Sequence, residues 1–157
     1  MNSTLPDLET FTAGDVVAHL ALEPMHARFR ELLDAFQACD DRHCSAALTE
    51  LRTHLVRQCQ SEEGWMRLAD HPGLERHKYE HDFWLDVVAE VQERVAQGDI
   101  PIARWLAVEL SHWFEVHTRA TDSALVDFLQ TRRDARCVLG ESGSPSQRAA
   151  KRRHHGG

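Results

Sequence analysis

Two pairs of residues four apart, Gln58 with Glu62 and His77 with His81, lie within the stretch QCQSEEGWMRLADHPGLERHKYEH, from Gln58 to His81. On a helix, residues four apart project from one side about a turn on, so each pair converges on a point. The His71-Pro72-Gly73 break between them lets one helix end and a second return antiparallel. The pairs then face one another, and facing helices with inward imidazoles and carboxylates are how helical bundles build dinuclear metal sites. His26 on an earlier helix, and His117 with Asp122 on a later one, are the further inward candidates. The five-residue step from His117 to Asp122 puts them on different faces of a straight α-helix. They converge only if the helix breaks across Thr118-Arg119-Ala120-Thr121, a weak helix-forming run. Several imidazoles with two carboxylates suit iron. Without a metal, five or more inward polar groups would be left unpaired in a core.

The elements that must position these groups are legible as apolar periodicity. A first helix is expected from Glu23-Pro24, with Met25, Phe29, Leu32, Leu33 and Phe36 stepping by three and four. Asp41 or Ser45 is placed to cap a second helix over about 46–69, whose buried side carries Leu48, Leu51, Leu55, Trp65, Met66 and Leu68. A third runs over about 74–97 with Phe83, Trp84, Val87, Val88 and Val91, ended by Gly98-Asp99. A fourth runs from Pro101 to His117 with Ile102, Trp105, Leu106, Leu110, Trp113 and Phe114. Leu125, Val126, Phe128 and Leu129 mark a short last helix. The fold class is all-α: an up-down-up-down four-helix bundle over 23–131, with an N-terminal arm over 1–22 and a basic, largely disordered tail over 132–157.

Composition excludes several classes. The 157 residues are of single-domain length, and no apolar run is long enough for a membrane span. The start of the chain lacks the pattern of an export signal, which makes the cytoplasm the expected location. Residues 1–131 hold eleven Lys/Arg against twenty-three Asp/Glu, while 132–157 hold seven against two. So acidic a body is a poor nucleic-acid partner, since phosphate contacts need clustered cations. Cys39, Cys44, Cys59 and Cys137 form no CxxC pair and read as reduced packing thiols. His19, His43, His71 and His112 read as structural or exposed.

The sequence resembles the hemerythrin family over most of residues 22–131. That family's pattern is a His on the first helix, HxxxE on the second, HxxxH on the third and then HxxxxD. Here it reads as EPMH ending at His26, QCQSEEGWM from Gln58, HPGLERHKYEHDF with His77 and His81, and WFEVHTRATD with His117 and Asp122. Phe83, Pro72, Met66 and Trp113 also fall where the family places such residues. One position departs, with Gln58 standing where the family has its second-helix His.

The resemblance implies two non-heme iron ions. His77, His81 and His117 would hold one, Glu62 and Asp122 would bridge, and His26 with Gln58 would hold the second. It also makes Met66 and Phe114, otherwise core residues, walls of a ligand pocket beside Trp113. His54, about 6 Å along the axis from Gln58, reads as an outer residue of the site. An amide oxygen is a weaker ligand for ferrous iron than imidazole, so the change falls on the dioxygen-binding ion. The implied activity is binding or sensing dioxygen or a related small oxidant, with no dedicated catalytic residue, as a binding protein more than an enzyme. The rival reading is a metal-depleted or mono-iron bundle serving as an interaction or signalling module. Aromatics near the helix ends leave room for a homodimer.

Overall fold

A computed structural model describes the backbone of residues 14–141 and the side chains of residues 21–132. Five α-helices follow in order: α1 Gly14–Ala38, α2 Cys44–Leu68, α3 Leu74–Ala96, α4 Ile100–His117 and α5 Ser123–Glu141, with a π-helical turn, Thr118–Asp122, joining the last two. Helices α1 to α4 pack each on the next, and α4 closes against α1, so the up-down-up-down bundle expected from the periodicity is the architecture found. No helix among the described residues is long and apolar enough to cross a membrane. The remainder of the expected arm and tail, residues 1–13 and 142–157, lies outside the described residues.

Several helix limits differ from those read in the sequence, each for a physical reason. Helix α1 passes through Pro24 instead of starting there. Proline forfeits one backbone bond inside a helix. Just before it, however, Leu22 is 3% exposed and packs with Met66, Leu125 and Leu129, so burial holds that turn in place. Helix α2 starts at Cys44 with no side-chain cap. Its approach is closed by Asp40, whose Oδ1 accepts from the His43 N–H at 3.1 Å, in place of the expected Asp41 or Ser45. Helix α5 runs on past residue 131 to Glu141, in a stretch without glycine or proline until Gly140.

The turns follow their chemistry. Gly98 takes φ +95, a conformation open to glycine, between α3 and α4. Asp99 then caps α4, its side chain accepting from the Ile102 N–H.

Two apolar clusters bracket the middle of the bundle. The larger gathers Phe29 and Phe36 of α1, Leu48 to Leu55 of α2, Val88 and Val91 of α3, and Leu106 and Leu110 of α4. The smaller joins Leu22, Met66, Leu125 and Leu129. Phe83, Leu68 and Trp105, expected on buried faces, are about half exposed. Phe83 lies two residues from His81, roughly 200° round the helix from the inward face that His77, His81 and Val88 define.

Candidate metal centre

Between the two apolar clusters each of α1 to α4, and the π turn, directs a polar group inward. His26, Gln58, Glu62, His77, His81, His117 and Asp122 are all buried, Glu62 completely. The residues four apart on α2 and on α3 share faces as their spacing requires. His117 and Asp122 share one for a different reason: the helix does not break between them but widens. In the π turn the Ser123 N–H bonds the Thr118 carbonyl, a five-residue step that matches the five from His117 to Asp122. The Thr118 hydroxyl also donates to the Phe114 carbonyl (2.9 Å) and the Ser123 hydroxyl to the Thr118 carbonyl (3.1 Å), so that side-chain bonds reinforce the backbone bonds at both ends of the turn.

Two ligand groups result, one of Glu62, His77, His81 and His117, the other of His26, Glu62 and Asp122. In the first, Glu62 Oε2 lies 3.2 Å from His77 Nε2 and 3.1 Å from His81 Nε2, and His81 Nε2 lies 3.2 Å from His117 Nε2. In the second, His26 Nε2 lies 3.1 Å from Asp122 Oδ2 and 3.6 Å from Glu62 Oε1. Asp122 Oδ1 returns to the first group, 3.2 Å from His117 Nε2. Each carboxylate thus presents one oxygen to each group.

These distances suit metal ions. Donors at right angles on bonds of about 2.1 Å stand about 3 Å apart. Among the described residues His26 Nε2, Gln58 Oε1, Glu62 Oε1 and both Asp122 oxygens are buried without a hydrogen-bond partner. Buried polar atoms left so are costly in a protein alone and are satisfied by coordination.

An outer layer orients the imidazoles. His81 Nδ1 lies 3.1 Å from Glu63 Oε1, and His117 Nδ1 lies 3.2 Å from Glu80 Oε2. With Nδ1–H donated to a carboxylate, Nε2 is left as the inward ligand atom. Glu63 and Glu80 were not singled out by sequence reasoning. Each adjoins a candidate ligand, and that adjacency is the one signal available, since the contact itself crosses between helices. Trp113 lies over His117 at 4.8 Å and Phe114 meets His26 edge-on at 5.4 Å. Met66 belongs to the smaller apolar cluster. His54 turns to α1, its Nε2 2.9 Å from the Met25 carbonyl, and joins neither ligand group. His71 accepts from the Gly73 N–H at 3.0 Å, and His43 and His112 are exposed.

Without metal these groups neutralise one another. Burial lowers the pKa of His26 and of His117, but Asp122 and Glu62 outweigh it and raise them to about 9 and about 10. Burial raises Glu62, and the surrounding imidazoles of His117, His26, His77 and His81 bring it well below the usual carboxylate range. Asp122 is lowered likewise, by His117 and His26 against its own burial. Raised imidazole values stabilise the metal-free fold fully below about pH 6.5, and that contribution is lost as pH climbs through 9 to 10. Metal must displace those protons. The metal-free protein is therefore expected to lose melting temperature between pH 6.5 and 10, while metal affinity rises over the same range. Calorimetric melting and metal titration at pH 6.5, 8 and 9.5 check both trends.

Imidazoles from three helices and carboxylates from a fourth helix and a π turn, gathered inside an antiparallel bundle, define a helical-bundle metal-binding protein. The chain belongs to the hemerythrin family: residues 17–129 match the Hemerythrin HHE cation binding domain. It is also similar to a bacteriohemerythrin of Ralstonia nicotianae (strain ATCC BAA-1114 / GMI1000), 35% identical over 112 residues that span 71% of this chain and 82% of that protein. No solved structure matches the chain.

Proposed function

We propose that the chain is a non-heme diiron protein that binds or senses dioxygen, or a related small oxidant. The observation that carries this reading is the pair of carboxylates, Glu62 and Asp122, each with one oxygen toward each of two imidazole groups. In this assignment His77, His81 and His117 hold one iron, and Glu62 and Asp122 bridge to the other. His26 and the Gln58 amide oxygen, buried without a partner among the described residues, complete that second ion. Two ferrous ions there would supply the electrons that a small oxidant takes up. The protein's part is to fix the ligands through Glu63 and Glu80 and to wall His26 and His117 with Phe114 and Trp113.

The test is iron per chain on anaerobically purified protein, followed by an optical spectrum as air is admitted. Two irons and a new visible charge-transfer band are expected. One iron or none, with no band, would refute the reading and leave the rival interaction module.

The departure at Gln58 has its own expected result. Gln58→His substitutes imidazole for a weaker amide ligand. A gain of about 1.4 kcal/mol for the second ion, tenfold in affinity, is expected in ferrous titrations. Unchanged affinity would place Gln58 outside the coordination.

A further inference from the structure

The two ligand groups differ in how the surface reaches them. A cleft of ≈330 Å³ opens between α1 and the start of α5, and His26 and Asp122 form its floor. Both Asp122 oxygens are buried without a hydrogen-bond partner among the described residues. Exposure does not separate the groups, since His26 and Asp122 are themselves only 5% and 2% exposed. What separates them is that Glu62, His77, His81 and His117 do not line this cleft, and Trp113 covers the His117 ring.

We propose that this cleft is the exchange port for the metal ion of the His26–Asp122 subsite, so that this ion loads and leaves independently of the one held by His77, His81 and His117. The proposal rests on the two-metal reading above.

The chemistry of the walls fits a passing hydrated divalent cation. Each arginine of the cleft has an acidic partner, Arg119 outside the cleft and Arg30 at its rim. Arg30 pairs with Glu23 at 3.4 Å and lies 5.7 Å over the Phe114 ring, and Arg119 pairs with Glu115 at 2.8 Å. The Thr118 and Ser123 hydroxyls are spent on backbone carbonyls. Asp127, exposed on α5, has no ion pair among the described residues, and Glu23 stands across from it on α1. The carboxylates of Glu23 and Asp127 at the rim and of Asp122 at the floor therefore mark the way in. A divalent ion shedding hydration needs such oxygen ligands along its way, and the exposed Asp127 carboxylate, with no ion pair among the described residues, attracts an arriving cation. Beneath the floor formed by His26 and Asp122, the subsite as assigned above would offer one imidazole, two carboxylates and an amide, a weaker set than three imidazoles. The same ion is thus both the more accessible and the more weakly held.

The experiment loads the full chain anaerobically with ferrous iron, counts the ions bound, and follows their removal by excess chromogenic ferrous chelator. Two ions are expected to leave in two phases, the fast one about tenfold or more ahead of the slow. Val126→Trp, which fills the cleft from α5, should slow the fast phase about fivefold and leave the slow phase and the stoichiometry unchanged. The surface pair Glu23→Gln with Asp127→Asn does not threaten folding. It should slow reloading of the fast ion about threefold at low salt and flatten its salt dependence. Two ions leaving in one phase, or a fast phase indifferent to both variants, would overturn the port alone. A single ion per chain at the start would overturn the two-metal reading and the port with it.

Discussion

Glu62→Ala is expected to empty both metal subsites, taking ferrous iron from two per chain to nearly none at micromolar metal. Glu62 belongs to both ligand groups and is the carboxylate nearest the imidazoles of His77 and His81. Its Oε2 stands 3.1 to 3.2 Å from two imidazoles of the first, and its Oε1 faces His26 of the second. At the three-histidine subsite its loss leaves Asp122 as the remaining anion facing a divalent ion. Removing one partner of a buried charge pair costs on the order of 3–5 kcal/mol, or about three decades of affinity. Glu63→Ala makes the contrast. It removes a partner of His81 outside the ligand set, where losses of about 10–100-fold are the rule. Equilibrium dialysis against ferrous iron, with far-ultraviolet dichroism to confirm the helices, separates the two. A Glu62→Ala protein that keeps two ions at unchanged affinity would sink the shared-carboxylate account.

Inserting one alanine after Ala120 is expected to be nearly as damaging, and deleting Ala120 much less so. The π turn already accommodates one residue more than an α-helix would carry between His117 and Asp122. Another residue rotates everything beyond it by about 100°. Asp122 then leaves the site, and Leu125 and Leu129, now 0% and 4% exposed, leave the smaller cluster. Uncovering two such leucines costs roughly 2–5 kcal/mol each. The inserted protein should lose the second ion and melt at a much lower temperature. Deletion shortens the step from five to four, the spacing of His77 and His81, which an ordinary α-helix keeps on one face. It should retain both ions. A deletion that strips the metal as completely as the insertion would contradict this account of the π turn.

Those two variants also mark where the sequence stopped being informative. Four amphipathic helices with short connections were legible because apolar residues recur by threes and fours, and the inward His and Glu pairs because they share helical spacing. The five-residue step before Asp122 signalled an irregularity without its form. A break and a widened turn satisfy the same spacing, and the choice depends on where α5 must place Leu125 and Leu129. The start of α1 was misread at Pro24 because the packing of Leu22 against α5 is not a local property. The partners of Glu63 and Glu80 lie on other helices, so no periodicity within one segment announces them. His54 was placed at the edge of the site by its turn of α2, but the Met25 carbonyl engages its ring nitrogen.

The ligand atoms come from positions spread over the chain from His26 to Asp122. Bound ions would therefore act as cross-links that close long segments, including the three connections from α1 to α4 and the return of α4 to α1. Closing a long segment with a metal clip removes entropy from the unfolded chain, by an amount that grows only slowly with its length. Because the unfolded chain cannot assemble the donors, binding and folding are linked, and each tenfold rise of free ion above its dissociation constant adds about 1.4 kcal/mol to stability. The metal-loaded bundle should accordingly resist unfolding as one unit whose strength follows the metal supply, with all four helices and the root of α5 released together.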